Sequence, residues 1–123
     1  MIGGTDIHLP TSAGDLAPEV AVRAIQQSWP QAVVEDAETG QRYDGLWQIP
    51  FGKVKELFVY RDQHSADRWD REGAVPELRN TMIHLIHDDD MISLVIDKKD
   101  AAMDVVIGAV SSALADAAHR ASR

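Results

Sequence analysis

The chain has no cysteine among its 123 residues. That excludes disulfides and thiolate metal sites, and it fits a reducing compartment. Basic charge is in short supply, with twelve Lys and Arg against twenty Asp and Glu, a net charge of −8. Such a surface repels a phosphate backbone unless a local basic patch exists. The best candidate patch, Arg61, Arg68, Arg71 and Arg79, is interleaved with acids, so no nucleic-acid partner is expected. The opening residues "MIGGTDIHLP" lack the basic and apolar regions of a signal peptide. The most apolar stretch, Ala101–Ala118, is broken by Asp104, Ser111, Ser112 and Asp116. It reads as an amphipathic helix rather than a membrane span. A cytoplasmic protein without a membrane partner is the expectation.

Catalytic and phosphate-binding motifs are missing as well. Neither G-x-x-x-x-G-K nor G-x-G-x-x-G occurs, and there is no G-x-S-x-G elbow. Ser65 adjoins His64, but neighbours on a helix do not face each other. His64 and Asp67 have the three-residue spacing of a helical metal pair without a second His. Asp67 and Arg71 read as an ordinary i,i+4 ion pair. No cofactor and no catalytic residue is assigned.

What is present is a pattern of elements. Residues 1–14 hold Gly3, Gly4, Pro10 and Gly14 and read as a flexible arm. Asp15–Trp29 is a helix with Pro18 and Glu19 in its first turn, stopped by Pro30. Val33–Ala37, Gln41–Ile49 and Val54–Arg61 read as strands joined by turns at "ETGQ" and "PFGK". Gly40 supplies a positive φ to the first turn, and Gly45 suggests a bulge. A short helix follows, capped by Asp62 or Ser65 and ended by Gly73. Asn80–His87 and Met91–Asp97 are two further strands. Asp100 caps a last helix with Met103, Val106, Ile107, Val110, Leu114 and Ala117 on one stripe. The expected fold is a single α+β domain over residues 15–123. Its order is α-β-β-β-α-β-β-α, with a five-stranded, mainly antiparallel sheet packed by helices.

The stretch "MIHLIHDDDMISLVID", residues 82–97, places two His and three Asp within sixteen residues. Its alternation predicts a hairpin. A turn centred on Asp88-Asp89 pairs Ile86 with Met91, Leu85 with Ile92 and Ile83 with Leu94, and sets His84 opposite Ser93 and His87 opposite Asp90. In a strand, His84 and His87 point to opposite faces and cannot share one ion. The cluster reads as a solvated turn rather than a metal site.

Face assignment then singles out a surface. Helices on the face bearing Leu57, Val59, Ile83, Leu85, Ile92 and Leu94 leave Phe58, Tyr60, Met82, His84, Ile86 and Val95 on the other. That second face is too apolar for free solvation. These six residues are the candidate partner-binding set, with the second helix, another copy of the chain or a foreign protein as the cover. Trp29 and Trp69 read as core, and Trp47 as core or surface. On the last helix Ala102, Ala109 and Ala113 lie beside the apolar stripe, and Gly108 and Ser112 form a small-residue seam, suited to the sheet or to a homodimer packed helix on helix.

The order of elements over residues 15–120 resembles that of the small acidic class I chaperones of bacterial type III secretion. The resemblance implies a dimer that binds extended segments of effector proteins. Small acidic immunity proteins against secreted toxins fit the same loose description. The expectation is a small acidic, non-catalytic interaction domain with a protein partner. The alternative is a small-molecule binder or enzyme, with His84, Tyr60 and Trp47 lining a pocket between sheet and helices.

Overall fold

The computed structural model describes residues 4–88 and 90–121. Its strands are β1 (Thr5–Pro10), β2 (Val33–Asp36), β3 (Arg42–Tyr43), β4 (Glu56–Tyr60), β5 (Met82–Asp88) and β6 (Met91–Ile96). Its helices are α1 (Ala17–Ser28), α2 (Gln63–Glu72) and α3 (Ala101–Ala121). The strands form one antiparallel sheet of order β1-β6-β5-β4-β2-β3. The single α+β domain expected from the sequence is therefore present, with six strands in place of five.

The sixth strand comes from the segment read as an arm. Thr5–Pro10 pairs with β6 over its whole length, Thr5 opposite Ile96 and Leu9 opposite Ile92. Ile7 and Leu9 turn toward the core while Asp6 and His8 stay exposed. This two-residue alternation lies between the glycines at 3–4 and Gly14, whose turn signals pointed to a loop. The extra strand changes the order of elements to β-α-β-β-β-α-β-β-α, which departs from the order on which the chaperone resemblance rests.

Local chemistry explains most of the remaining elements. Pro18 sits in the first turn of α1, where its missing N–H costs nothing. Asp36 Oδ1 accepts the N–H groups of Glu38 (2.8 Å) and Thr39 (3.1 Å), and Gly40 takes φ +77° to close that turn. The strand expected over 41–49 stops at Tyr43. Gly45 is extended and leads into a 3-10 turn over Leu46–Gln48, so it makes no bulge. Asp62 caps α2 by accepting the Ser65 N–H at 2.7 Å, and Gly73 ends the helix at φ +71°. Asp100 caps α3 through the Met103 N–H at 2.8 Å. Both carboxyls are held below their ordinary pKa, chiefly by those backbone N–H groups. Asn80 adopts a left-handed backbone, φ 58°, which an Asn tolerates. From there its amide donates to Asp100 Oδ2 at 2.7 Å, tying the entry of β5 to the start of α3.

The β5–β6 hairpin keeps the expected faces but not the expected partners. Leu85 opposes Leu94, His84 opposes Val95, Ile86 opposes Ser93, and Asp88 opposes Met91. The register has slipped by two residues relative to the sequence reading. A slip of two preserves the side-chain parity of each strand, whereas a slip of one would turn the core outward. The cross-strand pairs His84–Ser93 and His87–Asp90 do not form. Asp89, in the expected turn, lies outside the described residues.

The first sheet face and the helices α1 and α3 enclose the core. Ile83, Leu85, Ile92 and Leu94 meet Val22 and Ile25 of α1 and Val110 and Leu114 of α3 in one buried cluster. Every residue of the expected α3 stripe is buried there. By length and composition α3 would suffice to cross a membrane, yet in this fold its apolar stripe is spent on the domain's own core. Trp29 is core as expected, Trp69 is half-buried, and Trp47 is a surface residue at 82% exposure.

Candidate functional site

The second sheet face is built by the even-numbered residues of β4 and β5 and the odd-numbered residues of β6. Phe58 opposes His84, Tyr60 opposes Met82, and His84 opposes Val95 across the next ladder. All six residues singled out from the sequence lie on this face. Packing divides them into two groups.

The first group is sealed by α2. Tyr60 is only 5% exposed. Its hydroxyl lies 3.4 Å from Glu35 Oε2, and the Arg42 guanidinium carbon stands 6.0 Å from its ring centroid. Arg42, on edge strand β3, reaches three carboxylates: Glu35 at 3.1 Å, Asp67 at 2.8 Å and Asp70 at 2.7 Å. Two of these are on α2, so one guanidinium fastens that helix to the sheet. The Asp67 hydrogen bond is the main cause of Arg42's raised pKa, and the same contact is the main cause of Asp67's lowered one. The phenol of Tyr60 is pushed up by burial first and by Glu35 second. The expected Asp67–Arg71 pair gives way to this cross-domain clasp. Arg42 went unnoticed in the sequence because its partners are 7, 25 and 28 residues away. At the far end of α2, Trp69 Nε1 donates to Thr81 Oγ1 at 2.9 Å.

The second group remains half-buried beside α2: Phe58, Met82, His84, Ile86 and Val95. The Phe58 and His84 rings lie 4.8 Å apart, tilted by 55°. His84 Nε2 is shielded from solvent and 3.4 Å from Glu56 Oε2, but without hydrogen-bond geometry. A cavity of about 260 Å³ opens where α2 leaves the sheet, lined by Trp69, Ala74, Asn80, Met82, His84 and Val95. Of the three residues expected to line a pocket, His84 alone borders it. Tyr60 is sealed under α2, and the aromatic wall comes from Trp69 rather than Trp47.

His87 lies on the opposite face from His84, at the rim of a separate 510 Å³ concavity with Asp15, Lys55 and Asp90. Among the described residues no group of three or more His, Asp and Glu converges in a geometry for a metal ion. What the second face offers is an apolar strip three strands wide, rimmed by Glu56, Asp6 and the acids of α2. Comparison with protein-family models, curated proteins and solved structures found no match for this chain.

Proposed function

We propose that the protein is a small acidic, non-catalytic interaction domain whose second sheet face receives a segment of a protein partner. The contact set is Phe58, Met82, His84, Ile86 and Val95, with Tyr60 supporting the strip from beneath α2. The observation that carries this reading is the contrast on one face: α2 is tethered over Tyr60, while the neighbouring apolar strip is left half-buried. Exposed contiguous apolar surface rimmed by charge is the usual mark of a protein-binding site. The acidic rim and the net charge of −8 favour a partner with basic residues flanking an apolar stretch. A secretion-chaperone role or an immunity role would each use such a surface.

The test compares wild type with a Phe58→Ala/Ile86→Ala variant as bait in lysate of the source organism. A stoichiometric partner held by wild type and lost by the variant, at unchanged thermal unfolding, supports the proposal. A partner retained at equal affinity by the variant places the binding surface elsewhere and overturns it. The cavity beside Trp69 and His84 supports a second reading, a small-molecule site, although about 260 Å³ is below the usual range for drug-sized ligands. Stabilisation by a metabolite, abolished by Trp69→Ala or Val95→Trp, would favour that reading.

A further inference from the structure

The sheet's outer edge at β1 carries a pattern that goes beyond partner binding on the second face. Thr11 N–H donates to Asp90 C=O at 2.8 Å, continuing the β1–β6 register. In an antiparallel ladder the hydrogen-bonded residues alternate, so Thr5, Ile7 and Leu9 direct their backbone groups inward to β6. Asp6, His8 and Pro10 therefore direct theirs outward. Among the described residues no strand pairs with that side of β1.

We infer that this edge is the interface of a two-fold homodimer, in which two copies of β1 pair antiparallel about Ile7. The occupant is argued from the strand's own complementarity. Antiparallel pairing centred on Ile7 sets Asp6 of each copy opposite His8 of the other. These are the two residues whose N–H and C=O groups are free, so each pair exchanges two backbone hydrogen bonds, four in all. Their exposed side chains then form an acid–imidazole cross-strand pair on either side of the axis, a favourable combination where like charges would repel. Ile7 meets Ile7 on the helix side. Pro10, which has no N–H, limits the pairing to this central segment. His8 already accepts or donates through Nδ1 to Ser93 Oγ on β6 at 2.9 Å, which leaves Nε2 for the Asp6 carboxylate of the second copy.

The helix layer agrees with the strand. Ser111, Ala115 and Ala118 of α3 border Leu9–Ser12 in a shallow groove of about 220 Å³, so α3 runs beside the same edge. Gly108 continues that side, and a side chain there would meet open space. Strands sit about 4.8 Å apart, so pairing the two edges would bring the α3 helix of each copy, if it lies over the outer two strands, to about 10 Å from the other. That is the spacing at which small residues let helices pack. The flank is about 20 Å long and two layers deep, at the low end of interface size. A two-fold axis normal to the sheet puts both second faces on the same side of a twelve-stranded sheet, doubling the surface available to a partner.

Sedimentation equilibrium of the full chain from about 1 to about 200 µM tests this directly. Wild type should dimerise reversibly. His8→Asp, which sets two acids opposite each other, should raise the dissociation constant at least tenfold. Adding Asp6→Arg to it should restore wild-type affinity to within about threefold, because the swapped pair is complementary again. His8→Pro removes an outward N–H while leaving the backbone ladder to β6 intact, at the loss of the His8–Ser93 side-chain bond, and should also abolish the dimer. Far-UV circular dichroism and thermal unfolding verify that each variant is folded; if His8→Pro is not, the charge-swap pair decides. A wild type that is monomeric throughout overturns the inference and leaves Asp6 and Pro10 as protectors of a solitary edge. A dimer insensitive to His8→Asp, or one not rescued by the swap, overturns it too. None of these variants alters Phe58 or Ile86, so failure here is separable from failure of the partner-binding proposal.

Discussion

The two faces of the sheet are covered by different physics. On the first, α1 and α3 lay continuous apolar stripes over Ile83, Leu85, Ile92 and Leu94, and these four are fully buried. On the second, α2 spans ten residues and buries only Ser65 and Ala66. Its attachment rests on the Arg42 clasp, the Trp69–Thr81 hydrogen bond and the Asp62 cap. Area holds the first face and scales with every methylene removed from water. Directed polar contacts hold the second, and each works only while both partners are in place, the Arg42 clasp also only while its carboxylates are ionised.

Substitutions should separate the two modes. Leu85→Ala removes a fully buried side chain between the sheet and α1, and should cost about 2–5 kcal/mol with a matching drop in denaturant midpoint. Arg42→Met should cost less, about 1–3 kcal/mol, because it leaves Glu35 buried without its cation while most of the clasp is solvent-screened. Its signature is regional: amide exchange should accelerate over 62–73 and hardly change in β5 and β6. If exchange rises equally in both regions, the two faces are one cooperative unit and the contrast fails. Asp62→Ala should cost about 1 kcal/mol through the lost α2 cap, with exchange changes confined to the first turn of that helix.

Acid gives the gentlest test. Asp62 and Asp67 have native pKa values depressed by the Ser65 N–H and by Arg42 respectively. A depressed native value means the stabilisation is complete above the unfolded value, about 3.9, and is lost as pH falls through the native one. Between neutral pH and about pH 5 the attachment of α2 should therefore be constant. Below about pH 4, α2 should loosen before the core does, read as faster exchange over 62–73 while β5 stays protected. Simultaneous loss of both would again erase the distinction.

Several features were readable from short-range chemistry. The caps at Asp62 and Asp100, the stop at Gly73, the positive φ of Gly40 and the α3 stripe each depend on residues within a few positions of one another. The sorting of residues 82–96 into two faces was readable because strand parity is a local property. The pairing between those strands was not: parity is unchanged by a two-residue slip, so apolar matching alone left Leu85–Ile92 and Leu85–Leu94 equally consistent. β1 offered a signal in the alternation Asp6-Ile7-His8-Leu9, overshadowed by flanking glycines and Pro10. Arg42 offered none, since a single Arg in a polar run gives no hint of carboxylates up to 28 residues away.

The sequence by itself determined the class of fold, the helices, the caps of α2 and α3, and which side chains share a face, because all of these follow from periods of 2 and 3.6 residues and from neighbours along the chain. The tertiary structure alone decided that residues 5–10 become an edge strand, that β5 and β6 meet with Leu85 against Leu94, and that α2 seals Tyr60 yet stops short of Phe58 and Val95. Those outcomes depend on which distant surfaces fit together, and a one-dimensional pattern records what each segment must bury without recording what it is buried against.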